Sequence, residues 1–307
     1  MRIRFPTAPQ FDSPWAHTVH VVGNREIGVY EYGDPNGEPV FALHGTPACG
    51  AGFDWADTPA RERGLRVIAP DRPGIGRSTR VPMPAVGDYV AELGALADAL
   101  NIGRFALLGY SGGGPYALAA AAGLAGRVQT AAIVAGAGEI GAWATLADLS
   151  RSDRQLTWLS LHAPAVARVA LRVADLSARV APRVVLWSAA TEAPPTDREV
   201  LRSLGSPRQA LALFTQALAH SSAGVVDDYA RLARPWHVRL ADISAPVHCW
   251  HGTADTAVPL AHTEALLEHL PNARLTTWPG EGHLGLITHV ADVLDDIATT
   301  VRAGPHH

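Results

Sequence analysis

Phe105 to Gly126 is a run of 22 residues without a charged side chain, and it limits the fold more than any other stretch of this 307-residue chain. The length would suit a membrane span, but the middle reads Ser111-Gly-Gly-Gly-Pro115, a turn sequence that a span does not usually contain. What fits is a buried strand, a tight turn and a buried helix. The rest of the first 140 residues follows the same alternation. Short apolar runs at 18–23, 27–33, Val40–Leu43, Arg66–Pro70, Phe105–Gly109 and Thr130–Ala135 read as strands, the first two as a hairpin. Helical patterns at 54–63, 86–100 and 113–125 lie between them. Strands separated by helices predict a mostly parallel sheet, because parallel neighbours need crossover connections.

The alternation stops near Gly138. From there to Pro235 the sequence carries helical periodicity and almost no strand signal. Thr196-x-x-Glu199 has the form of a capping box at a helix start, and 207–220 reads as one Ala/Leu-rich helix. Strand-like runs return at Val247–His251 and Arg274–Trp278, followed by helices at 258–269 and 285–302. The expected architecture is an α/β core of residues 1–137 and 238–307, with residues 138–237 inserted as a helical cap.

Composition removes whole classes of chemistry. The 25 Lys and Arg residues are all arginine. A Schiff-base lysine, a pyridoxal-phosphate anchor, a Walker-A lysine and a Ser–Lys dyad are therefore unavailable. A net charge of -4 gives no chain-wide field to hold nucleic acid or an anionic membrane, so neither is an expected partner. Cys49 and Cys249 are too few for a disulfide framework and lack zinc spacing, which points to a reducing, cytoplasmic setting. Met1–Thr18, broken by Pro6, Pro9 and Pro14, does not read as a signal peptide, and His306 and His307 read as the remnant of a tag.

The sharpest local signal is Gly109-Tyr-Ser111-Gly-Gly113, a G-x-S-x-G pentapeptide between a predicted strand and a predicted helix. A serine thrown out of so tight a turn needs small neighbours two positions away on each side. The turn leaves its hydroxyl at a helix N-terminus, where partial positive charge favours a developing anion. A serine hydroxyl is a poor nucleophile near neutrality, so the reading requires a histidine base and an orienting carboxylate. His251-Gly-Thr-Ala-Asp255 and Gly280-Glu-Gly-His283 each follow an apolar strand, in loops at the carboxyl ends of strands where open α/β sheets gather their sites. Ser111, Asp255 and His283 are the expected catalytic residues, with Glu281 or Glu139 as the fallback acid. Of the other histidines, His17, His20, His262 and His269 read as surface residues. Two N–H donors must then face the oxyanion: that of Gly112, and that of Thr46 in the loop His44-Gly-Thr46-Pro47. His44 reads as an anchor for that loop, no second metal ligand lying near it at metal spacing.

The segments His44-Gly-Thr-Pro47, Asp71-Arg-Pro-Gly-Ile-Gly-Arg-Ser78, Gly109-Tyr-Ser-Gly-Gly-Gly-Pro115, Trp250-His-Gly-Thr-Ala-Asp255 and Gly282-His283 together resemble the α/β-hydrolase superfamily over roughly 20–137 and 238–302. The resemblance implies a Ser111–His283–Asp255 triad, an eight-stranded core, and a helical cap after the sixth strand. It also implies a structural bracing role for Asp71 and Arg72. Epoxide hydrolases and haloalkane dehalogenases of this fold attack with an aspartate, which Ser111 replaces here. Haloperoxidase-like members usually have Met after the serine, where Gly112 stands, and the elbow lacks the tryptophan typical of proline iminopeptidases. What remains is a serine hydrolase of esters, lactones or related acyl compounds, or of a carbon–carbon bond beside a ketone. The rival reading is a non-hydrolytic relative, a ligand receptor or a natural-product cyclase.

Three further features are read as decoys. Gly136-Ala-Gly138-Glu-Ile-Gly141 fits G-x-G-x-x-G, but no acidic residue follows at 157–163, so it reads as a junction into the cap. His248 faces away from Cys249 and His251 by strand alternation, so no metal site is expected there. Trp143, Trp158 and Trp187, with Phe214, read as the cap's own core before they read as substrate contacts. They are nonetheless carried as candidate substrate-binding residues, together with Tyr110 and His44. A small acyl compound is the expected partner, no cofactor or metal is called for, and a homodimer is left open. A neutral, fairly apolar substrate is expected unless Arg151, Arg154, Arg168 or Arg172 turns inward.

Overall fold

Every apolar run expected to be a strand joins one sheet. The strands are β1 (Ala16–Val21), β2 (Arg25–Gly33), β3 (Glu38–Leu43), β4 (Leu65–Pro70), β5 (Phe105–Tyr110), β6 (Val128–Val134), β7 (Val247–Gly252) and β8 (Ala273–Trp278). Their order is β1-β2-β4-β3-β5-β6-β7-β8, with β2 antiparallel to both neighbours and all pairs from β4 to β8 parallel. The computed structural model describes residues 16–304 except 22 and 24. Residues 1–15 and the terminal His306 and His307, which carried the leader and tag readings, lie outside the described residues.

Alternation along the buried strands divides the core in two. Phe105 and Leu107 of β5 face one layer, with Leu93 and Leu96 of α2 (Tyr89–Ala99) and Tyr116 to Ala121 of α3 (Gly114–Gly123). Ala106 and Leu108 face the other, with Ala60 of α1 (Asp57–Glu62) and with Val293, Leu294 and Ile297 of the C-terminal helix (Gly285–Ala303). Period-2 alternation of apolar residues with helices on both faces explains why these runs hold almost no polar side chain.

Between β6 and β7 the described residues form no strand, only an isolated bridge between Ile140 and Ala144, and the α-helices there are α4 (Arg151–His162), α5 (Pro164–Val180), α6 (Pro182–Glu192), α7 (Pro195–Ser203), α8 (Pro207–Ala210), α9 (Ala212–Ala217) and α10 (Ala223–Leu232). The helices α11 (Leu260–Leu267) and α12 (Gly285–Ala303) flank β8. Two local expectations fail here. Thr196 caps nothing, because α7 starts one residue earlier: Pro195, with its preset φ, takes the first helical position. The expected helix 207–220 breaks at Leu211, and Leu213 and Phe214 pack against the layer of Ala106 and Leu108. Among the described residues, no helix is long and apolar enough to cross a membrane.

Candidate active site

The turn after β5 has the steric shape that its glycines suggested. Ser111 has φ +53°, in the left-handed region that a serine occupies only under constraint. A Cβ on Gly109 would lie 2.8 Å from Ala117 Cβ, and one on Gly113 would lie 2.0 Å from the Leu43 carbonyl oxygen. Larger residues at either position would force the turn apart and pull the serine off the end of β5.

Two loops at the carboxyl ends of β7 and β8 bring the other groups to it. His283 Nε2 lies 2.9 Å from Ser111 Oγ, and its Nδ1 lies 2.7 Å from Asp255 Oδ2. The second Asp255 oxygen accepts the Ala257 and Val258 amides at 2.8 and 2.9 Å, which fixes the carboxylate. The network assigns the Nδ1–H tautomer to His283, leaving Nε2 to accept the serine proton. Burial alone would lower the His283 pKa, but the charge and hydrogen bond of Asp255 outweigh it and the net shift is upward. Asp255 shifts the other way: burial pushes its pKa up, and His283 and the hydrogen bond from His251 bring it below the usual carboxylate range.

A cavity of about 310 Å³ opens onto this group. Its wall includes Ser111, Gly112, Thr46 and His283, so the residues expected to supply the nucleophile, base and oxyanion donors share one space. Gly112 packs against Thr46: a Cβ on it would lie 2.7 Å from Thr46 Oγ1. The Thr46 hydroxyl donates to Asp228 of α10 and accepts from Arg72 at 2.7 Å. Arg72, fully buried, binds Asp228 through Nε at 3.0 Å and a terminal nitrogen at 2.6 Å, and Tyr116 and Arg231 also donate to that carboxylate. Burial would raise the Asp228 pKa, yet Arg72 and Arg231 hold it below the usual range. Asp71 is the second brace: it accepts the Gly50 and Arg77 amides, and burial pushes its carboxyl up to about 6.

The residues expected to touch substrate are placed elsewhere. His44 is buried behind the loop, its Nδ1 on the Gly45 carbonyl and its Nε2 accepting the Arg72 amide; burial and the Arg72 charge lower its pKa to about 3, so it is neutral and braces the loop. Tyr110 stacks near the His283 ring at 5.3 Å and donates to the His283 carbonyl at 3.0 Å, holding that residue from outside the cavity. Trp143 packs edge-on against Trp236. Trp158 on α4 and Trp187 on α6 are 52% and 71% exposed, each on a solvent-facing side of its helix, and Phe214 packs with the layer of Ala106 and Leu108. None of these six lines the cavity. Glu139 is spent on the Trp236 amide, and Glu281 lies near His289. His262, expected at the surface, is buried and accepts the Gly138 amide, which fixes the glycine junction beside the cavity. His248 faces Asp296 and Thr276, away from Cys249 and His251.

Sequence reasoning missed Asp228, the partner of Arg72 and Thr46, and three further residues. Asp153 of α4 and Tyr229 of α10 line the cavity, the tyrosine hydroxyl donating to the carboxylate at 2.7 Å. Asp197 of α7 accepts the backbone amides of His283 and Leu284, each at 2.9 Å. A lone Asp in a helical stretch carries no local signal of such a role.

The profile of the alpha/beta hydrolase fold matches residues 38–290. A non-heme chloroperoxidase of Burkholderia pyrrocinia is 28% identical over 292 residues, covering 91% of this chain and 97% of that protein. A proline iminopeptidase of Xylella fastidiosa is 28% identical over 304 residues, covering 92% and 94%. Among solved structures, a thermophilic esterase from Thermogutta terrifontis superposes with a TM-score of 0.67 at 20% identity, over 94% of this chain and 98% of the esterase. The matched segment spans β3 through the start of α12 and so includes Ser111, Asp255 and His283; this chain belongs to the α/β-hydrolase fold family.

Proposed function

We propose that the protein is a serine hydrolase acting on a carboxylic ester, lactone or related acyl compound through an acyl-enzyme. The observation that carries this reading is the continuous hydrogen-bonded line Ser111–His283–Asp255 on the wall of a 310 Å³ cavity. Ser111 Oγ attacks the carbonyl carbon as His283 Nε2 takes its proton. The amides of Thr46 and Gly112 hold the oxyanion, and His283 returns the proton to the departing oxygen. Water then attacks the acyl-enzyme with His283 as base, releasing the acid and restoring Ser111. Residues 138–237 are taken as the cap that roofs the cavity, and residues 1–137 and 238–307 as the core. The buried free thiols Cys49 and Cys249 suit a reducing cytoplasm.

The family alone does not select this chemistry, since the relatives bear the names of a haloperoxidase and a peptidase. Gly112 after the nucleophile and the absence of an elbow tryptophan favour the ester reading over both. Fluorophosphonate labelling is the test: wild-type protein should label at Ser111 and Ser111→Ala should not. Absence of wild-type labelling, with no turnover of short p-nitrophenyl esters, would leave the non-hydrolytic alternative standing.

The cavity wall narrows the substrate. Pro47, Ile140, Leu149, Leu232 and Val258 make much of it apolar, and Asp153 is its one carboxylate. Arg151, Arg154, Arg168 and Arg172 are all exposed and absent from the lining. An anionic acyl group would be desolvated beside Asp153 without a cation. A butyrate ester should exceed the matching hemisuccinate ester in kcat/KM by about tenfold or more, equivalent to at least about 1.4 kcal/mol. Equal rates would remove the charge argument.

A further inference from the structure

Asp197 sits in the first turn of α7, inside the inserted segment, and is 4% exposed. Its carboxylate is spread over two backbone donors, the Oδ2 on the His283 amide and the Oδ1 on the Leu284 amide. These N–H groups lie just before α12, where a helix leaves donors unpaired and its dipole favours an anion. The contact is close enough that a Cβ on Gly282 would come within 2.4 Å of Asp197 Oδ1. Two neighbouring hydrogen bonds reinforce this seam: the Thr196 hydroxyl donates to the Gly280 carbonyl at 3.2 Å, and the Thr256 hydroxyl donates to the Glu192 carbonyl at 2.9 Å. The α6–α7 end of the cap therefore grips both loops, the one that carries Asp255 and the one that carries His283.

We infer that Asp197 is a positioning residue through which the cap sets the orientation of His283. The inference rests on the reading of Ser111, His283 and Asp255 as a catalytic triad. The imidazole is held at its nitrogens by Ser111 and Asp255, but the backbone that carries it is held by a side chain of the cap. With the cap seated, the His283 amide is fixed and Nε2 points at Ser111 Oγ. With α7 displaced, that amide loses its partner and the ring can swing from the line. Closure of the cap over substrate and completion of the general base then become one event.

Charge separates this role from plain helix capping. The groups that face the His283 ring and its backbone are Asp255 at Nδ1, Ser111 at Nε2, Asp153 across the cavity, Tyr110 beside the ring, and Asp197 at the amide. Asp197 is one of three carboxylates that favour the imidazolium. Removing its charge lowers the pKa at which His283 becomes a competent base; removing a helix cap alone would not.

The experiment uses the full chain with Asp197→Asn, Asp197→Ala and Gly282→Ala, each assayed at a temperature where circular dichroism shows it folded. Short p-nitrophenyl ester turnover is followed across pH, with the rate of fluorophosphonate labelling of Ser111 alongside. Asp197→Asn should lower kcat about tenfold and Asp197→Ala about 100-fold, with KM within about twofold, the scale expected for a base displaced by a fraction of an ångström. The acid limb of the Asp197→Asn profile should move to lower pH. Gly282→Ala, which keeps the charge but displaces it, should lower the labelling rate as well. An Asp197→Asn protein with wild-type kcat and an unmoved acid limb overturns the inference, whatever happens to its melting temperature. Wild-type protein that fails to label overturns instead the catalytic reading beneath it.

Discussion

The helices between β6 and β7 meet the rest of the fold along two seams that are built from opposite materials. At one, α10 presses Asp228 into a buried set of donors formed by Arg72, Arg231 and Tyr116, joined by the part-buried Thr46 hydroxyl, and its neighbours Val225 and Val226 are buried as deeply as the sheet. At the other, α6 and α7 reach the Asp255 and His283 loops through Asp197 and two threonine hydroxyls, with Thr196 and Thr256 in partly exposed surroundings. A buried ion network breaks only at a high free-energy cost, because each charge left behind is stranded without water. Asp197 at the second seam is itself buried, but the two threonine hydrogen bonds beside it are exposed and exchange with water at little net cost. The α10 seam is thus an anchor, fixing the His44–Pro47 loop through Thr46. The α7 seam is a latch, and His283 rides on it.

Both seams serve the same atoms, so removing those atoms should exceed anything done to either seam. Ser111→Ala or His283→Ala should lower kcat by roughly 10⁴-fold or more, with the double variant no worse than the singles. Steady-state and single-turnover assays decide this, and retained activity in Ser111→Ala would discard the mechanism that the seams are said to support.

The anchor comes next. Asp228→Ala should reduce stability by about 3–5 kcal/mol in urea unfolding, since it strands Arg72 in the core. A loss no larger than that of Asp197→Ala would erase the distinction between anchor and latch. The pH dependence gives a second check. The folded pKa of Asp228 is depressed below its ordinary 3.8, so its contribution is present above that value and lost as pH falls through the folded value. The stability gap between wild type and Asp228→Ala should therefore narrow in acid, below about pH 4.

The latch has its own pH signature in the wild-type enzyme. His283 must be neutral to accept the serine proton, and its pKa is raised. The acid limb of kcat/KM should then fall on the alkaline side of 6.5, the ordinary histidine value, with activity dropping about tenfold per pH unit below the limb. A limb on the acid side of 6.5 would mean that the carboxylates around the ring do not govern it.

What the sequence made legible divides along the same line. The strands were readable because burial on both faces leaves a continuous apolar signature, and the elbow because Gly109 and Gly113 answer to steric limits inside one turn. Ser111, Asp255 and His283 could be expected to meet because each stands after a strand of one sheet, so topology alone gathers them. The carboxylates of the helices between β6 and β7 had no such code. Asp153, Asp197 and Asp228 sit in helical stretches where an acidic residue ordinarily means a solvated face, and their partners lie far off in sequence. Thr196 even pointed the wrong way, because its spacing to Glu199 imitates a capping box while Pro195 starts the helix. The large aromatics misled for a related reason: Trp158 and Trp187 suggested an interior, but α4 and α6 turn those positions toward solvent.

The smallest expected effect is also the one that best isolates the latch. Thr196 is the residue before Asp197 and bonds to Gly280, three residues before His283, so it shares the seam but carries no charge and touches neither amide. Thr196→Ala removes one neutral, exposed hydrogen bond, worth at most about 1 kcal/mol. Its kcat should stay within about twofold of wild type and its acid limb should not move. Thermal melts and the same ester assay measure both. Were Thr196→Ala to lower kcat and shift the limb as Asp197→Asn is expected to do, any loosening of this seam would act on His283 alike. The special role would then belong to the docking of α7 as a whole, and the carboxylate would be one hydrogen-bonding group among several.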